Sequence, residues 1–146
     1  MPSHPDLSKL TLLHATTIAL DDRAVLIRGA SGSGKSGLAL QLLAYGAGLV
    51  ADDRTHVWVQ DGHVMADVPQ TISGQIEARG VGVLKAPPTG PRRVKLVVDL
   101  DLTETERLPP MRETHLLDVA VPLVGKTGFA HFPAAILLYL RHGRLA

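Results

Sequence analysis

The pattern G-x-x-x-x-G-K-S/T is matched at every fixed position by Gly29-Ala30-Ser31-Gly32-Ser33-Gly34-Lys35-Ser36. A short run of β-favouring apolar residues (24–28) precedes this octapeptide, and a run of good helix formers (38–44) follows it. Strand, glycine-rich turn and helix form the arrangement in which backbone N–H groups surround a polyphosphate and the helix N-terminus faces its negative charge. The flanking sequence therefore supports a phosphate-binding loop, or P-loop, over residues 29–36.

A P-loop assigns a chemical task to each of its polar positions. Its backbone amides bind the phosphates of a nucleoside triphosphate, so the whole octapeptide is a candidate nucleotide site. Lys35 is expected to reach the β- and γ-phosphates, and the Ser36 hydroxyl is expected to ligate Mg²⁺. The motif thus predicts a site for a nucleoside triphosphate with Mg²⁺.

The composition is that of a globular domain without a strong electrostatic preference. Of the 146 residues, 45% are hydrophobic and 20% are charged, and a chain of this size buries about two-thirds of its unfolded surface. There are 15 lysines and arginines against 14 aspartates and glutamates, so neither nucleic acid nor a membrane surface is expected as a partner. The absence of cysteine excludes disulfides, thiolate metal sites and a cysteine nucleophile.

Neither a signal peptide nor a membrane-spanning segment is expected from the sequence. No basic segment followed by an apolar one stands at the start, so no signal peptide is expected. The longest apolar stretch, 129–140, is interrupted by His131 and is too short to span a bilayer. We expect a single cytoplasmic domain over residues 1–146, with residues 1–8 as a loose lead-in.

The chain becomes mostly β after the P-loop unit. Strands are predicted at 10–20, 24–28, 48–51, 76–84, 94–102 and 116–123, the last in the chain, and a hairpin at 55–66 around Asp61-Gly62. Helices are predicted after the P-loop and at 129–141, with Pro133 in the first turns of the second. About two helices against seven or eight strands do not fit a doubly wound sheet, in which the two alternate throughout. We expect an α/β domain with a mixed, largely antiparallel sheet.

A P-loop enzyme needs a carboxylate on the Mg²⁺ side, normally at the end of an apolar strand. One candidate is the pair Asp52-Asp53, which follows the strand at 48–51; the other is Asp99, in the strand at 94–102. The pair is favoured because one acid can hold the metal while its neighbour handles a proton. Adjacent strand residues point to opposite faces, so both acids reach one site only if the strand ends there. The competing interpretation is a solvated turn.

Four further residues have both an ordinary and a functional interpretation. His14 follows an apolar run and on spacing alone is more often structural. Glu77 and Arg79 share one face of a strand, where an exposed charge pair is at least as common as a functional one. Lys126 lies on a glycine-flanked loop, either as a solvated side chain or as a cation offered to phosphate, including that of a neighbouring subunit. The other histidines lack metal-ligand spacing.

The order of these blocks resembles the catalytic domain of bacterial HPr kinase/phosphorylase. The matching blocks are His14, the P-loop, Leu49-Val50-Ala51-Asp52-Asp53-Arg54, and Ile76-Glu77-Ala78-Arg79-Gly80-Val81-Gly82-Val83. The resemblance implies a hexamer-forming P-loop fold related to nucleotide-dependent phosphoenolpyruvate carboxykinase, in the short proteobacterial form without the family's N-terminal domain. It also implies an enzyme that phosphorylates a serine of an HPr-like phosphocarrier and can reverse this with inorganic phosphate, releasing pyrophosphate.

The resemblance further implies roles for individual residues. Asp52 is similar to the general base that takes the proton of the substrate serine and returns it in the reverse reaction. Asp53 is similar to a metal-side carboxylate, and Ser36 and Glu77 complete the Mg²⁺ environment. The remaining catalytic residues that the resemblance implies are His14, Lys35, the signature arginine Arg79, and Lys126.

The chain departs from the family pattern in three places. Gly37 stands where a glutamate commonly follows the P-loop serine, and the segment 122–127 is one residue shorter, with Lys126 in place of an arginine that would offer a two-pronged fork. The sequence also ends at Ala146, whereas the family carries further helical residues. Two alternatives stay open: a small-molecule kinase with Asp99 as metal ligand, and a nucleotide-gated, non-catalytic protein that binds a phosphocarrier or a sensor kinase.

Overall fold

The computed structural model of the chain describes residues 10–146, so the expected lead-in over residues 1–8 lies outside the described residues. The strands are β1 (Thr11–Leu13), β2 (Ala15–Leu20), β3 (Arg23–Arg28), β4 (Gly48–Ala51), β5 (Thr55–Gln60), β6 (His63–Asp67), β7 (Gln75–Ala78), β8 (Gly82–Lys85), β9 (Arg92–Thr103), β10 (Arg112–Leu116) and β11 (Val119–Lys126). The helices are α1 (Lys35–Ala44) and α2 (Phe132–His142), and a 3-10 turn covers Gln70–Ile72.

Nine of these strands form one sheet, and β7 and β8 form a separate hairpin. The main sheet has the order β1-β5-β6-β9-β3-β2-β4, with β11 added to β9 and β10 added to β11. The long strand β9 pairs in parallel with β3 and β11, whereas the other pairs between these strands are antiparallel. The structure confirms the expected α/β fold with a mixed, largely antiparallel sheet.

The sheet is buried on both faces at its centre. In β3 the run 24–27 is buried without interruption, as is 96–98 in β9, which is typical of strands with a covered layer on each side. One face packs with α1 and α2 around Val25, Ile27 and Leu42. The other face forms a second cluster that includes Leu26 and Val57. The P-loop helix therefore packs on one face of a pair of strands that is buried at its centre.

Helix α1 ends where the glycine pattern predicts. The Gly46 N–H donates to the carbonyl of Leu43, and the Ala47 N–H donates to that of Leu42, which is the Schellman arrangement. This arrangement needs a left-handed residue after the helix, and Gly46 has φ +101°. The chain then returns directly into β4, which brings the end of β4 back beside the start of α1.

Three strand predictions are corrected by the structure. The segment 10–20 is divided at His14 into β1 and β2, which pair with different neighbours. The segment 76–84 is a hairpin and not one strand, because the chain reverses at Gly80, with φ +88°. The segment 116–123 spans the β10–β11 hairpin, whose two-residue turn at Leu117 and Asp118 has φ +49° and +65°. The described residues thus contain eleven strands, more than the seven or eight predicted.

Helix α2 begins at Phe132, later than the predicted start at 129, and carries Pro133 in its first turn, as predicted. The last turn of this helix carries the basic residues Arg141 and His142. Positive charge at the C-terminal end of a helix interacts favourably with the helix dipole. No helix within residues 10–146 combines the length and the apolar character needed to cross a membrane.

The packing of α2 can be tested with two leucines of the same helix. Leu140 is 3% exposed and Leu138 is 64% exposed. We expect Leu140→Ala to lower the free energy of unfolding by about 2–5 kcal/mol, because it leaves a cavity in the core. Leu138→Ala is the control and is expected to change it by no more than about 0.5 kcal/mol. Urea unfolding followed by circular dichroism measures both; equal values would contradict this docking of α2.

Candidate active site

The P-loop joins the end of β3 to the start of α1 and is shaped by its glycines. A Cβ atom built on Gly29 would lie 2.6 Å from Ser33 Oγ and 3.2 Å from Leu100 Cβ, so only glycine fits at this position. At Gly32 and Gly34, with φ +82° and +102°, a Cβ atom would meet nothing within 4 Å. The outer side of the loop is therefore open, and its backbone is available to a ligand.

The polar groups of the loop fit a polyphosphate. Lys35 Nζ lies over the loop and donates to the carbonyls of Gly29 at 2.9 Å and Ala30 at 3.2 Å. Ser33 Oγ is buried and has no hydrogen-bond partner among residues 10–146. The first N–H groups of α1 have no partner within the helix and point in the same direction. An ammonium group, free amides and an unpartnered hydroxyl are the donors that phosphate oxygens accept from.

The two consecutive carboxylates after β4, Asp52 and Asp53, are called the acid corner below. Asp52 is half-buried and has three donors. Its Oδ1 accepts from Ser36 Oγ at 2.6 Å and from Thr16 Oγ1 at 3.2 Å, and its Oδ2 accepts from the Glu77 N–H at 3.0 Å. The first bond has the length of a strong hydrogen bond to a carboxylate. Asp52 is thus tied to the P-loop serine.

Asp53 has a different environment from its neighbour. It is exposed, with φ +66°, and the Arg54 N–H donates to the Asp52 carbonyl across it at 2.8 Å. An i→i+2 bond around a residue with positive φ is the rare and strained form of the γ-turn. Strained backbone of this kind clusters at functional sites, where the surrounding structure holds it in place. The N–H of Asp53 donates to Thr16 Oγ1 at 3.1 Å.

A cleft of about 590 Å³ lies between the P-loop and the β7–β8 hairpin. The P-loop side contributes Ser31, Gly32, Gly34, Lys35, Ser36, Gly37 and Leu40, and the opposite side contributes Asp53, Glu77, Ala78, Arg79 and Val81. A second cleft of about 320 Å³ contains the two acids, Arg54, Ile72, Gln75, Glu77 and Val83. Asp53 and Glu77 line both clefts. They therefore stand at the boundary between the P-loop side and a second open region.

The structure separates Asp99 from this cleft. Its Oδ2 lies 3.2 Å from Arg28 Nε, and its Oδ1 accepts from the Asp101 N–H. Asp101, which sequence reasoning missed, accepts the Ala30 N–H with both oxygens, at 2.9 and 3.1 Å. The signal that could have found it is its place at the carboxyl end of an apolar strand, since such ends collect at the ligand edge of a sheet.

Two predicted residues do not line the cleft. His14 is exposed between β1 and β2; its neighbour Ala15 pairs with Arg28, so it lies near the start of the P-loop. Lys126 was predicted to lie on a loop, but it is the last residue of β11 and pairs with Thr103. Its carbonyl accepts a hydrogen bond from the Glu104 N–H. Within one chain, the structure thus brings together the P-loop, the acid corner, Glu77 and Arg79.

The donor set suits Mg²⁺ together with phosphates. Residues 10–146 contain no group of three or more His, Asp and Glu side chains that could hold a metal ion by themselves. Mg²⁺ is usually bound by one or two carboxylates together with waters and substrate phosphates, so a protein cage is not required. The Ser36 hydroxyl, the Asp52 carboxylate and the nearby Glu77 are oxygen ligands of the right kind, beside the loop that would hold the phosphates.

The family model described as HPr Serine kinase C-terminal domain matches residues 5–124. The chain belongs to this family. The HPr kinase/phosphorylase of Brevibacillus brevis is 32% identical over 131 residues, which is 81% of this chain and 42% of that protein. The HPr kinase/phosphorylase of Lactococcus lactis is 37% identical over 98 residues, which is 66% of this chain and 32% of that protein. The chain therefore spans less than half the length of these two relatives.

A solved structure, that of the Hpr(Ser) kinase/phosphatase from Coxiella burnetii, has the same fold. It matches with a TM-score of 0.75 and 24% identity, and the match covers 90% of this chain and 94% of that one. The resemblance seen in the sequence blocks is thus confirmed for the family and for the fold.

The tight packing inside the P-loop can be tested at Gly29. We expect Gly29→Ala to weaken binding of a fluorescent nucleoside triphosphate by about tenfold or more, because the new methyl group forces Ser33 and the backbone apart. Gly128→Ala is the control, since a Cβ atom there meets nothing within 4 Å and φ is not positive. A fluorescence titration measures both; equal affinity of Gly29→Ala and wild type would contradict the assignment of the loop.

Proposed function

We propose that the chain is the catalytic domain of an ATP- and Mg²⁺-dependent protein-serine kinase that acts on an HPr-like phosphocarrier of a bacterial phosphotransfer system. The observation that supports this most is the acid corner, in which one carboxylate is bonded to the P-loop serine and the next one faces the cleft with Lys35. We further propose a cytoplasmic, homo-oligomeric protein, a hexamer as in the family resemblance, that binds neither nucleic acid nor membrane.

The P-loop side of the cleft is the proposed nucleotide side. The Ser36 hydroxyl can offer its oxygen lone pairs to a cation while it donates its hydrogen bond to Asp52. Glu77 adds a second carboxylate to the same region. When bound there, Mg²⁺ would neutralise charge on the phosphate oxygens. Lys35 and Arg79 would stabilise the negative charge that develops on the transferred group.

The roles of the two acids are proposed in the reverse order from the sequence-based assignment. Asp52 was predicted as the base and Asp53 as the metal-side acid. In the structure both oxygens of Asp52 are engaged, one of them by Ser36, so Asp52 fits the metal side. Asp53 is exposed and lies at the boundary between the P-loop cleft and the second cleft, so we assign the general base to Asp53.

The reaction then follows from these positions. A serine entering from the second cleft gives its hydroxyl proton to the Asp53 carboxylate while its oxygen bonds to the γ-phosphorus. The bond from that phosphorus to the bridging oxygen breaks, and ADP leaves. In the reverse direction inorganic phosphate attacks the seryl phosphorus, the protonated Asp53 returns the proton to the seryl oxygen, and pyrophosphate forms.

Two residues that the sequence placed in the active site, Lys126 and His14, do not line the cleft, so their proposed roles need another explanation. Lys126 is exposed and does not line the cleft of its own chain, so we propose that it serves the cleft of a neighbouring subunit. His14 lies beside the start of the P-loop, and we propose that it acts from that edge of the site. The small-molecule kinase with Asp99 as metal ligand has little support, because Asp99 is paired with Arg28.

The division of roles can be tested with three asparagine variants. We expect Asp53→Asn to lower serine phosphorylation by about 10²–10⁴-fold, the usual contribution of a general base, with nucleotide affinity within about threefold of wild type. We expect Asp52→Asn to weaken Mg²⁺-dependent nucleotide binding by about tenfold or more. Asp118→Asn is the control: it removes the same charge at φ +65°, close to the +66° of Asp53, but on the β10–β11 turn.

The assay incubates each variant with ATP, Mg²⁺ and a panel of HPr-like carriers and detects phosphoserine by mass spectrometry. If Asp52→Asn lost transfer with intact nucleotide binding while Asp53→Asn stayed active, the original order of roles would be restored. Phosphate appearing only on small metabolites would favour the small-molecule kinase. ATP-dependent binding of a carrier without phosphoserine would favour the non-catalytic binding protein.

A further inference from the structure

We propose that Thr16 is a positioning residue that holds both members of the acid corner in their working geometry; this role rests on the proposed function. Thr16 lines neither of the two clefts, and its hydroxyl bonds to the acids and not to the P-loop serine. It acts through Asp52 and Asp53, to which its single hydroxyl is bonded. The sequence did not predict this role, because Thr16 lies in a strand segment that matches no motif.

The burial of Thr16 is unusual for a polar residue. Among residues 10–146 the buried polar or charged side chains are Thr16, Thr17 and Thr55, each 0% exposed. Burying a hydroxyl is unfavourable unless it is hydrogen-bonded, so each of these groups needs a partner. These buried hydroxyls thus lie in β2, which pairs with β4, and in β5, which follows the acid corner along the chain.

The hydroxyl of Thr16 acts both as a hydrogen-bond donor and as an acceptor, to two consecutive residues. It donates to Asp52 Oδ1 at 3.2 Å and accepts from the Asp53 N–H at 3.1 Å. The first bond orients the carboxylate that is tied to Ser36. The second bond satisfies the amide of the residue at the centre of the strained γ-turn. One side chain therefore sets the direction of one acid and the backbone of the other.

The strand that carries Thr16 is well fixed. Strand β2 pairs with β3 on one side and β4 on the other, and Thr16 pairs with Ile27. Because residues two apart share a face of a strand, Thr16 lies on the same face as Ile18 and Leu20, which pack in the cluster below α1. A functional group placed on a rigid element is held more precisely than one held by a loop.

Thr17, the next residue, offers a matched control. It lies on the opposite face of β2, and its Oγ1 lies 3.0 Å from Thr55 Oγ1. Thr55 uses its own hydrogen on the Ala15 carbonyl at 2.8 Å, so Thr17 is the donor in this pair. Thr17 is as buried as Thr16 and loses the same hydroxyl in a valine variant, but its hydroxyl does not bond to the acid corner.

The test compares Thr16→Val, Thr16→Ser and Thr17→Val by two readouts. Water-exchange NMR measures the Asp53 amide without any substrate, and steady-state phosphorylation of an HPr-like carrier gives kcat and the nucleotide KM. We expect Thr16→Val to speed exchange of the Asp53 amide by about tenfold or more and to lower kcat by about 10–100-fold, with KM within about threefold. Thr16→Ser is expected to keep both near wild type. Thr17→Val is expected to lower Tm as Thr16→Val does but to leave both readouts unchanged.

Two results would overturn the proposal: equal Asp53 exchange and equal kcat in Thr16→Val and Thr17→Val, or a kcat of Thr16→Ser as low as that of Thr16→Val. If Thr16→Val does not fold, Thr16→Ala compared with Thr17→Ala gives the same decision. If the wild-type chain phosphorylates no carrier, the proposed function fails, whereas the exchange measurement still decides whether Thr16 holds the corner.

Discussion

The hydrogen bond of 2.6 Å from Ser36 to Asp52 joins the first turn of α1 to the end of β4, and the sheet order makes it possible. Strands β3 and β4 are both antiparallel to β2, which lies between them. They therefore run in the same direction and end at the same edge. Strand β9 is parallel to β3 and ends there as well, which places Asp101 beside the P-loop. Ligand sites of α/β sheets lie at this carboxyl edge.

The opposite wall of the site comes from outside the main sheet. The β7–β8 hairpin is anchored by Ile76, which is 2% exposed and packs in the cluster below α1. Its neighbour Glu77 donates its N–H to Asp52, so the hairpin is also tied to the acid corner. Arg79 lies in the turn after β7 and not on a strand face shared with Glu77, as the sequence predicted, but both residues line the cleft opposite the P-loop. The β7–β8 hairpin is held by β7, whereas its second strand, β8, is exposed. It thus completes the cleft without joining the main sheet.

The sequence was sufficient for features that depend on short-range patterns. The P-loop, helix α1 with its terminal Gly46, and the Asp61-Gly62 hairpin each have a local signal in turn or cap residues. The β10–β11 turn has none, since Leu117 adopts φ +49° without glycine, a conformation that tertiary contacts must impose. Thr16 and Asp101 were missed for another reason: their partners are 36 and 71 residues away in the sequence. Spacing carries no information on such contacts.

The roles of the adjacent acids illustrate the same limit. In a regular strand consecutive side chains point to opposite faces, so two adjacent acids reach one site only where the strand ends, and the sequence does not show how it ends. The γ-turn at Asp53 removes this restriction, because positive φ turns the second side chain towards the cleft after Asp52 has already met Ser36. The cost is local strain, and the bonds from Thr16 and across the turn to Arg54 offset it. The two carboxylates thus differ in environment because the backbone between them leaves the strand.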